Sequence, residues 1–340
     1  MENKESKSYI ERIEIKGLWG RFDVNWKLHP DVNILVGENG TGKSTILRLI
    51  NDVLLQNIDI YPIKMESIKA IQILNRSLTN TFEILLIMPQ NNYLYYPHTI
   101  VVNDHDYNEV KHFTSKQNIT LKYFKNLFWD DDLPKIEWHD DKFEVHVKLL
   151  ETFESKLLET DTISKITQKD VKSSLDLDLY TLETEYWKYQ IELFERIVNQ
   201  GFSKEEVNKN HNLFLQKFNH LFKATGKVFG QNSKDKTIIF KQNGLELSLY
   251  QLSSGEKQML IILLTVLLQD QKPTILLLDE PEISMHLTWQ YELIEIIRTL
   301  NPNCQIIIVT HSPSIFTDGW NDRVFWIEDI CKPTQKLEKV

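Results

Sequence analysis

The chain has 340 residues, of which 41% are hydrophobic and 26% charged, and this composition predicts an ordinary globular protein of about two domains. Its net charge of −9 and pI near 5.6 argue against a protein whose main activity is binding the phosphate backbone of nucleic acid, because such binding needs clustered lysine and arginine. Its two cysteines, Cys304 and Cys331, lack metal-ligand spacing.

Three features bear on where the chain works. Residues 1–7 mix charges and contain no apolar stretch, so no secretion signal is expected. The longest apolar run, 259–268, is about half of the roughly 20 residues that a bilayer span requires. Few cysteines suit a reducing compartment. We therefore expect a cytoplasmic protein with no membrane segment.

Strand-like patterns dominate the first hundred residues. Apolar and polar residues alternate on either side of Gly17–Gly20, which predicts two half-buried strands that pair with each other. The mainly apolar run Val32–Val36 predicts a buried strand. Later stretches of the same character complete an antiparallel first lobe over residues 1–103, namely 67–74, 81–88 and 99–103.

Directly after the buried strand, residues 37–45 read Gly-Glu-Asn-Gly-Thr-Gly-Lys-Ser-Thr, which fits the phosphate-binding pattern G-x-x-x-x-G-K-[ST]. Its glycines let successive backbone N–H groups turn toward nucleotide phosphates, and the next helix presents its positive N-terminal end. Lys43 is expected to neutralise the β and γ phosphates and Ser44 to bind Mg²⁺. The predicted nucleotide-binding residues are Gly37, Asn39, Gly40, Gly42, Lys43, Ser44 and Thr45.

The amino-acid composition changes over residues 104–236, where charged residues become more frequent and glycine becomes rare. Apolar residues at helical spacing predict two helices joined near Gly201, and Ser203 with Glu206 predicts a capping box for the second helix. Helices of around 20 residues reach only about 30 Å, so a short helical hairpin over 179–222 is expected. We interpret this hairpin as a lid or partner-docking element. The alternative is that its aromatic faces simply pack on the rest of the protein.

Two further signals precede the last apolar strands. Asn243-Gly244 between two strand-like runs predicts a type I′ hairpin. Residues 252–258, Leu-Ser-Ser-Gly-Glu-Lys-Gln, lead into a strongly apolar helix. Ser253 and Gly255 are therefore expected to form a second anion site at a helix N-terminus.

Two apolar strands then end in groups suited to phosphate chemistry. Residues 274–278 lead into Asp279, a predicted metal ligand, and Glu280, a predicted general base for an attacking water. Residues 306–309 lead into His311, which can hydrogen-bond a γ-phosphate. The predicted catalytic residues are Lys43, Glu280 and His311, and the predicted metal ligands so far are Ser44 and Asp279. Arg323–Ile327 predicts a last edge strand, and 331–340 a polar tail.

In this order, the four motifs resemble the head of ABC-type ATPases. Two of these motifs are similar in sequence to the SMC/OLD-like AAA ATPases. They are residues 279–286, Asp-Glu-Pro-Glu-Ile-Ser-Met-His, and residues 310–313, Thr-His-Ser-Pro. These are bacterial ATPases of DNA maintenance and phage defence, including subunits of OLD, Septu and PARIS systems. The resemblance covers roughly residues 9–55 and 237–328. It implies an α/β fold, an ABC-type P-loop ATPase head with an N-terminal antiparallel lobe, the inserted hairpin and a C-terminal lobe over 237–340.

The resemblance also implies ATP and Mg²⁺ as cofactors. It implies a homodimer, or a higher even-numbered oligomer, in which Ser253 and Gly255 of one chain face the phosphates of another. Gln90 is the candidate for the glutamine that senses Mg²⁺ and the γ-phosphate, with Gln72 as a competitor. Trp19 or Arg21 could stack near adenine or be an ordinary surface residue. Leu287 replaces a proline that the group often has, which puts only local geometry in doubt.

An intrinsic nuclease is not predicted. Asp176 and Asp178 have the spacing of paired acids in Toprim nucleases, but the required apolar strand is missing, and both more simply favour a helix start. Acids over 130–132 indicate a solvated loop, and those over 137–142 also lack a strand and a partner acid.

Three functions compete. The first is an ATPase switch of a bacterial defence complex that controls a separate effector, a nuclease in this hypothesis, and contacts nucleic acid through that partner. The second is a DNA-repair ATPase acting directly on DNA, which the acidic balance disfavours. The third is a transporter's nucleotide-binding subunit, which the long insertion disfavours. We favour the first.

Overall fold

The computed structural model describes residues 9–55, 67–74, 78–85, 98–102, 110–113, 147–151 and 171–334. The strands of this part of the chain are β1 Tyr9–Leu18, β2 Phe22–Lys27, β3 Val32–Val36, β4 Ser67–Leu74, β5 Leu78–Leu85, β6 His98–Val102, β7 Val110–Phe113, β8 Val147–Leu150, β9 Val228–Asn232, β10 Thr237–Gln242, β11 Leu245–Ser248, β12 Thr274–Asp279, β13 Cys304–Val309, β14 Val324–Trp326 and β15 Cys331–Pro333. The helices are α1 Lys43–Leu55, α2 Ser174–Gln200, α3 Lys204–Val207, α4 Lys209–Leu221, α5 Ser254–Leu268, α6 Leu287–Leu300 and α7 Ile327–Ile330.

A parallel sheet in the order β14-β3-β13-β12-β8 forms the centre of the fold. Strands β3, β12 and β13 are buried along their whole length, as their predominantly apolar sequences predict. Asp279 pairs with Val309, and Val309 pairs with Leu35, so the carboxyl ends of three strands lie side by side. The loops that leave these ends therefore meet at one edge of the sheet.

An antiparallel sheet in the order β15-β2-β1-β4-β5-β6-β7 packs against this central sheet. Buried Gln305 of β13 joins the two, since its Oε1 accepts from the Ile10 N–H at 2.8 Å and its Nε2 donates to the Ile10 carbonyl at 2.9 Å. The predicted α/β ATPase-head architecture with an antiparallel lobe is confirmed. The sequence predicts a polar tail from residue 331, and this is wrong for residues 331–333, which form β15 and pair with β2.

The segment predicted to be mostly helical, 104–236, divides in the structure. Its later part forms α2, α3 and α4, and both α2 and α4 pack on α5. Strand β8 lies in the same segment, yet it pairs with β12 as an edge of the central sheet, which corrects the helical prediction there. The sequence of β8, Val-Lys-Leu-Leu, is short and lies in a charged stretch, so its partner strand determines its structure.

Local signals explain how the helices begin and end. Ser173 and Asp176 form a reciprocal capping box at the start of α2, and Gly201 ends it at a φ of 74°. Ser203 caps the short α3, and α4 begins after Asn208, so the second predicted helix is broken into two. A buried aromatic cluster fills the space between α2, α4, β10 and α6, comprising Tyr186, Phe214, Phe218, Phe222, Phe240 and Trp289.

The small sheet β11-β10-β9 precedes the Ser253 motif. Asn243 and Gly244 have φ values of 51° and 80°, so the predicted hairpin turn is confirmed. Within the described ranges, no helix has the length and apolarity that crossing a membrane requires.

Candidate functional site

The phosphate loop runs from β3 into α1. Gly40 and Gly42 have φ values of 76° and 93°, which side-chain-bearing residues rarely adopt. The Ile46 N–H donates to the Gly42 carbonyl at 2.9 Å, so α1 begins at the loop itself. The Lys43 ammonium donates to the Gly37 and Glu38 carbonyls at 3.1 and 2.8 Å, which holds it within the curl of the loop.

Burial lowers the pKa of Lys43, while the nearby carboxylates of Glu280, Asp279 and Glu328 act in the opposite direction. Only 4% of Lys43 is exposed, so its charge lies in a poorly hydrated setting. An ammonium there attracts phosphate more strongly than one in water, because the local dielectric constant is lower.

Ser44 and Asp279 meet across the site although they are 235 positions apart. The Ser44 Oγ donates to Asp279 Oδ1 at 2.8 Å. Mg²⁺ prefers oxygen ligands and is usually bound by one or two protein oxygens together with water and substrate phosphates. One hydroxyl and one carboxylate beside the phosphate loop fit that requirement.

Glu280 and His311 form the next pair. Glu280 Oε1 lies 3.4 Å from His311 Nε2, and both side chains are partly exposed. The Glu280 N–H donates to the Val309 carbonyl at 2.8 Å, which extends the pairing of β12 and β13 by one residue. The structure therefore brings together every predicted catalytic and metal-binding residue within the described ranges: Lys43, Ser44, Asp279, Glu280 and His311. The Glu280 carboxylate and the His311 imidazole are therefore neighbours at this edge of the sheet.

Glu282 was not singled out in the sequence. Its Oε1 accepts from Thr310 Oγ1 at 2.6 Å, from the His311 N–H at 2.9 Å and from the Ser312 N–H at 3.2 Å. Gln290 of α6 supports the same loop, because Ser312 Oγ donates to its Oε1 at 2.7 Å. An acid two residues after Glu280 was a visible signal, but only the fold shows which loop it contacts.

The predicted signature, residues 252–258, opens α5. Ser253 and Glu256 form a reciprocal capping box, and Glu256 also accepts from the Lys227 ammonium at 2.6 Å. A Cβ atom on Gly255 would overlap the carbonyl oxygen of Ser284, so only glycine allows α5 to pack this closely on the turn after Glu280. The contacts of Ser253 and Gly255 are thus with Glu256 and Ser284, and their predicted role toward a second chain stays a prediction.

Asp176 has a structural partner. Its Oδ1 accepts from the Lys257 ammonium at 2.6 Å and its Oδ2 from the Lys172 and Ser173 N–H groups. Burial raises the pKa of Asp176, but the hydrogen bonds from Lys257 and the backbone outweigh burial and lower it overall. These contacts agree with the prediction that Asp176 supports a helix start. The acids at 130–132 and 137–142 lie outside the described residues.

The remaining predicted residues lie as follows. Trp19 contacts the phosphate loop, since a Cβ on Gly42 would overlap its indole ring, and Arg21 is exposed. Gln90 lies outside the described residues, and its competitor Gln72 belongs to β4. Asn39 and Gly40 are exposed at the tip of the loop, while Gly37 and Thr45 are half-buried at its ends.

Several known proteins are similar to this chain. It is 29% identical over 107 residues to "Retron Vc95 probable ATPase" of Vibrio cholerae serotype O1 biovar El Tor, covering 28% of this chain and 20% of that protein. It is 30% identical over 144 residues to "Zinc import ATP-binding protein ZnuC" of Histophilus somni (strain 129Pt), covering 41% and 52%. The chain therefore spans a fifth of the first relative and about half of the second.

Similar solved structures include an Smc head bound to the C-terminal winged-helix domain of ScpA, with a TM-score of 0.49, 16% identity and 90% of each chain covered. An Smc head with an extended coiled coil bound to the C-terminal domain of ScpA, derived from Pyrococcus furiosus, has a TM-score of 0.48 and 15% identity over 91% of each chain.

A family model matches residues 32–318, which include the phosphate loop, the signature, the Asp279-Glu280 pair and His311. Its description is "AAA domain, putative AbiEii toxin, Type IV TA system". Because the match spans most of the chain and every motif that meets at the sheet edge, the chain belongs to this family of AAA-domain ATPases.

Proposed function

We propose that this protein hydrolyses ATP with Mg²⁺ and acts as the switch subunit of a bacterial anti-phage defence complex, controlling a separate effector in the cytoplasm. The observation that carries the hydrolysis is the meeting of the Ser44–Asp279 pair and the Glu280–His311 pair beside Lys43. The similarity to a retron ATPase supports the defence role.

In this proposal Lys43 and the loop N–H groups bind the phosphates. Ser44 and Asp279 would hold Mg²⁺, which would supply charge neutralisation on the phosphates. Glu280 accepts a proton from the attacking water. His311 donates a hydrogen bond to the γ-phosphate and keeps Glu280 oriented. Trp19, which lies against Gly42, borders the nucleotide.

Phosphate release by the purified chain tests the hydrolysis. We expect Mg²⁺-dependent release from ATP that Lys43→Ala removes by weakening ATP binding, because the ammonium in the loop is lost. Wild-type release no greater than that of Lys43→Ala at saturating ATP would overturn the proposal. Cleavage of DNA or RNA by the purified chain would contradict a separate effector.

The link from the ATP site to a partner runs through α2. Lys257, two residues after Gly255, is ion-paired to Asp176 near the start of this helix, so movement of the signature moves α2. The outer face of α2 is apolar and exposed at Ile191, Phe194 and Val198, with 64% of Phe194 accessible. Apolar residues exposed along one face of a helix mark an interaction surface.

We propose that the effector binds this face of α2. The charged residues beside the face indicate which side chains the effector should present. The exposed acid Glu195 lies one helical turn from Ile191 and so borders this face, and the partner surface should therefore carry apolar side chains with a lysine or arginine opposite Glu195. Co-expression with the product of the neighbouring gene tests this assignment. Phe194→Asp should abolish co-purification and leave ATP hydrolysis unchanged, whereas Thr181→Asp, on an exposed part of α2 nearer its start, should retain it. Equal recovery with both variants would rule out this face.

A further inference from the structure

We propose that Glu282 is the positioning residue that holds the loop Thr310–Ser312, and with it His311, in place against Glu280. This inference rests on the proposed ATP hydrolysis for its kinetic consequence, but its geometric content is independent of it. Glu282 itself does not touch the reacting groups and is assigned no proton transfer.

Three donors from three consecutive residues converge on a single oxygen of Glu282. Thr310 Oγ1, His311 N and Ser312 N lie 2.6, 2.9 and 3.2 Å from Oε1. Thr310 Oγ1 also accepts from the Ser312 N–H at 2.9 Å, so the loop is closed on itself around the carboxylate. Hydrogen bonds to an ionised acceptor are stronger than those between neutral groups, which suits a loop that has to keep one shape.

The other carboxylate oxygen is also informative. Oε2 is buried and makes no hydrogen bond within the described part of the chain. A carboxyl group placed only to satisfy buried donors would be expected to use both oxygens, since an unpaired buried polar atom costs free energy. Every hydrogen bond that the Glu282 side chain accepts within the described residues therefore comes from the His311 loop, through Oε1 alone.

The backbone of Glu282 belongs to the turn that carries the catalytic carboxylate. The Ile283 N–H donates to the Glu280 carbonyl at 3.2 Å, and the Met285 N–H donates to the Glu282 carbonyl at 2.9 Å. Gln290 joins the two loops a second time, because its Nε2 donates to the Met285 carbonyl at 3.0 Å while its Oε1 accepts from Ser312 Oγ. The 3.4 Å separation of Glu280 and His311 is therefore set by the side chain of Glu282, with support from Gln290.

Two substitutions at Glu282 separate the effect of the side chain's charge from the effect of its length. Glu282→Gln keeps the length but replaces one oxygen by an NH₂ group, so the acceptor is neutral. Glu282→Asp keeps the charge but is one methylene shorter, so it cannot reach all three donors. Glu295→Gln makes the same change at an exposed position of α6 and serves as the control.

The first readout is the kinetics of ATP hydrolysis. We expect kcat to fall roughly 10- to 100-fold in both Glu282 variants, which is the usual cost of misplacing a catalytic group through its support. The KM for ATP should stay within about 2-fold, because Lys43 and the loop are untouched. Glu295→Gln should match wild type. A kcat within 2-fold of wild type in both Glu282 variants, or a loss of ATP binding that equals the loss of kcat, would overturn the inference.

The second readout does not depend on activity. NMR spectra of protein labelled at histidine should show the His311 ring signals shifted or broadened in Glu282→Gln and unchanged in Glu295→Gln. Thr310→Val, which removes one donor, should reproduce the shift, and Thr310→Ser, which keeps it, should not. His311 signals in Glu282→Gln that superimpose on those of wild type would overturn the inference. Where a Glu282 variant is unstable, the Thr310 variants provide the same test. If wild type releases no more phosphate than Lys43→Ala, the proposed function fails and these spectra alone decide the role of Glu282.

Discussion

The position of the proposed catalytic carboxylate, that of Glu280, depends on the backbone as well as on side chains. Glu280 has a φ of 47°, a conformation that costs a residue with a side chain about 1 to 3 kcal/mol. The hydrogen bond from its N–H to Val309 holds it there, directly after buried β12. In this conformation the Glu280 side chain lies 3.4 Å from His311, and we infer that the strain serves to orient the proposed base.

We expect Glu280→Gln to reduce ATP hydrolysis at least about 100-fold, because an amide cannot accept the proton of the attacking water. ATP binding should persist, since Lys43 and Ser44 are unchanged. Phosphate release and nucleotide binding, measured on the same sample, check both parts. Retention of half of the wild-type rate at saturating ATP would show that Glu280 is not the base.

Gly255 is required for packing at the start of α5. In a helix, alanine is normally more stable than glycine by up to about 1 kcal/mol. Here the added methyl group would overlap the Ser284 carbonyl oxygen, so Gly255→Ala should instead destabilise the protein by about 1 to 3 kcal/mol. Urea unfolding measures the change. Gly230→Ala is the control, because its methyl group would meet mainly the flexible side chain of Ile239. A Gly255→Ala variant more stable than wild type would contradict the close packing of α5 on Ser284.

At the scale of elements, two ion pairs tie the first turn of α5 to the helical segment. Lys257 pairs with Asp176 near the start of α2, and Glu256 pairs with Lys227 just before β9, each at 2.6 Å and largely buried. In the proposed switch, a movement of the signature would be transmitted through these pairs to both ends of the segment that contains α2 and α4. These elements provide the mechanical basis of the proposed switch.

Asp176→Asn should destabilise the protein by about 3 kcal/mol at neutral pH, because Lys257 is left buried without its partner. The pKa of Asp176 is lowered in the folded state, so the pair stabilises the protein above the unfolded-state value near 4 and loses its effect as pH falls through the folded-state pKa. The difference in unfolding free energy between wild type and the variant should therefore shrink below about pH 4.

The control for that series is Glu14→Gln, which removes the exposed pair with Arg12 and should cost under about 1 kcal/mol at any pH. Urea unfolding of both variants and wild type from pH 3 to 8 gives the comparison. A constant difference for Asp176→Asn across this range would exclude the ion pair as its cause.

How much could be predicted depended on how local the determining contacts are. The turn at Asn243-Gly244 and the phosphate loop follow from a few neighbouring residues, so the sequence alone predicts them. Strand β8 exists because β12, more than a hundred positions later, pairs with it, and no local pattern encodes that. The role of Glu282 could not be predicted from local sequence either, because its partners Thr310 and Ser312 come near only when β12 and β13 lie side by side.

On the scale of the whole molecule, Gln305 joins the antiparallel and central sheets into one structure, and the resemblance to ABC-type ATPases implies that two such heads close on ATP. We expect hydrolysis per chain to rise with protein concentration, because Ser253 of one chain would complete the site of another. Ser253→Arg should abolish hydrolysis while sparing ATP binding. Light scattering and activity on the same sample check this, and a monomer with concentration-independent turnover would contradict it.

A mixing experiment gives the matched control for the paired heads. Ser253→Arg keeps the phosphate loop, and Lys43→Ala keeps the signature, so a mixed pair has one intact site. Mixing the two inactive variants in equal amounts should restore up to about a quarter of wild-type activity, since half of the pairs are mixed and each has one of two sites. Failure to regain any activity, with pairing verified, would argue against shared sites.

The indole of Trp19 lies against Gly42, which gives the phosphate loop a built-in fluorophore. Anything that enters the loop changes the polarity around that ring, and indole emission responds to polarity in both intensity and wavelength. The other seven tryptophans of the chain add a background that a Trp19→Phe protein reproduces and that can be subtracted. The filling and emptying of the loop can thus be followed in real time on unlabelled protein, even in variants that no longer turn over.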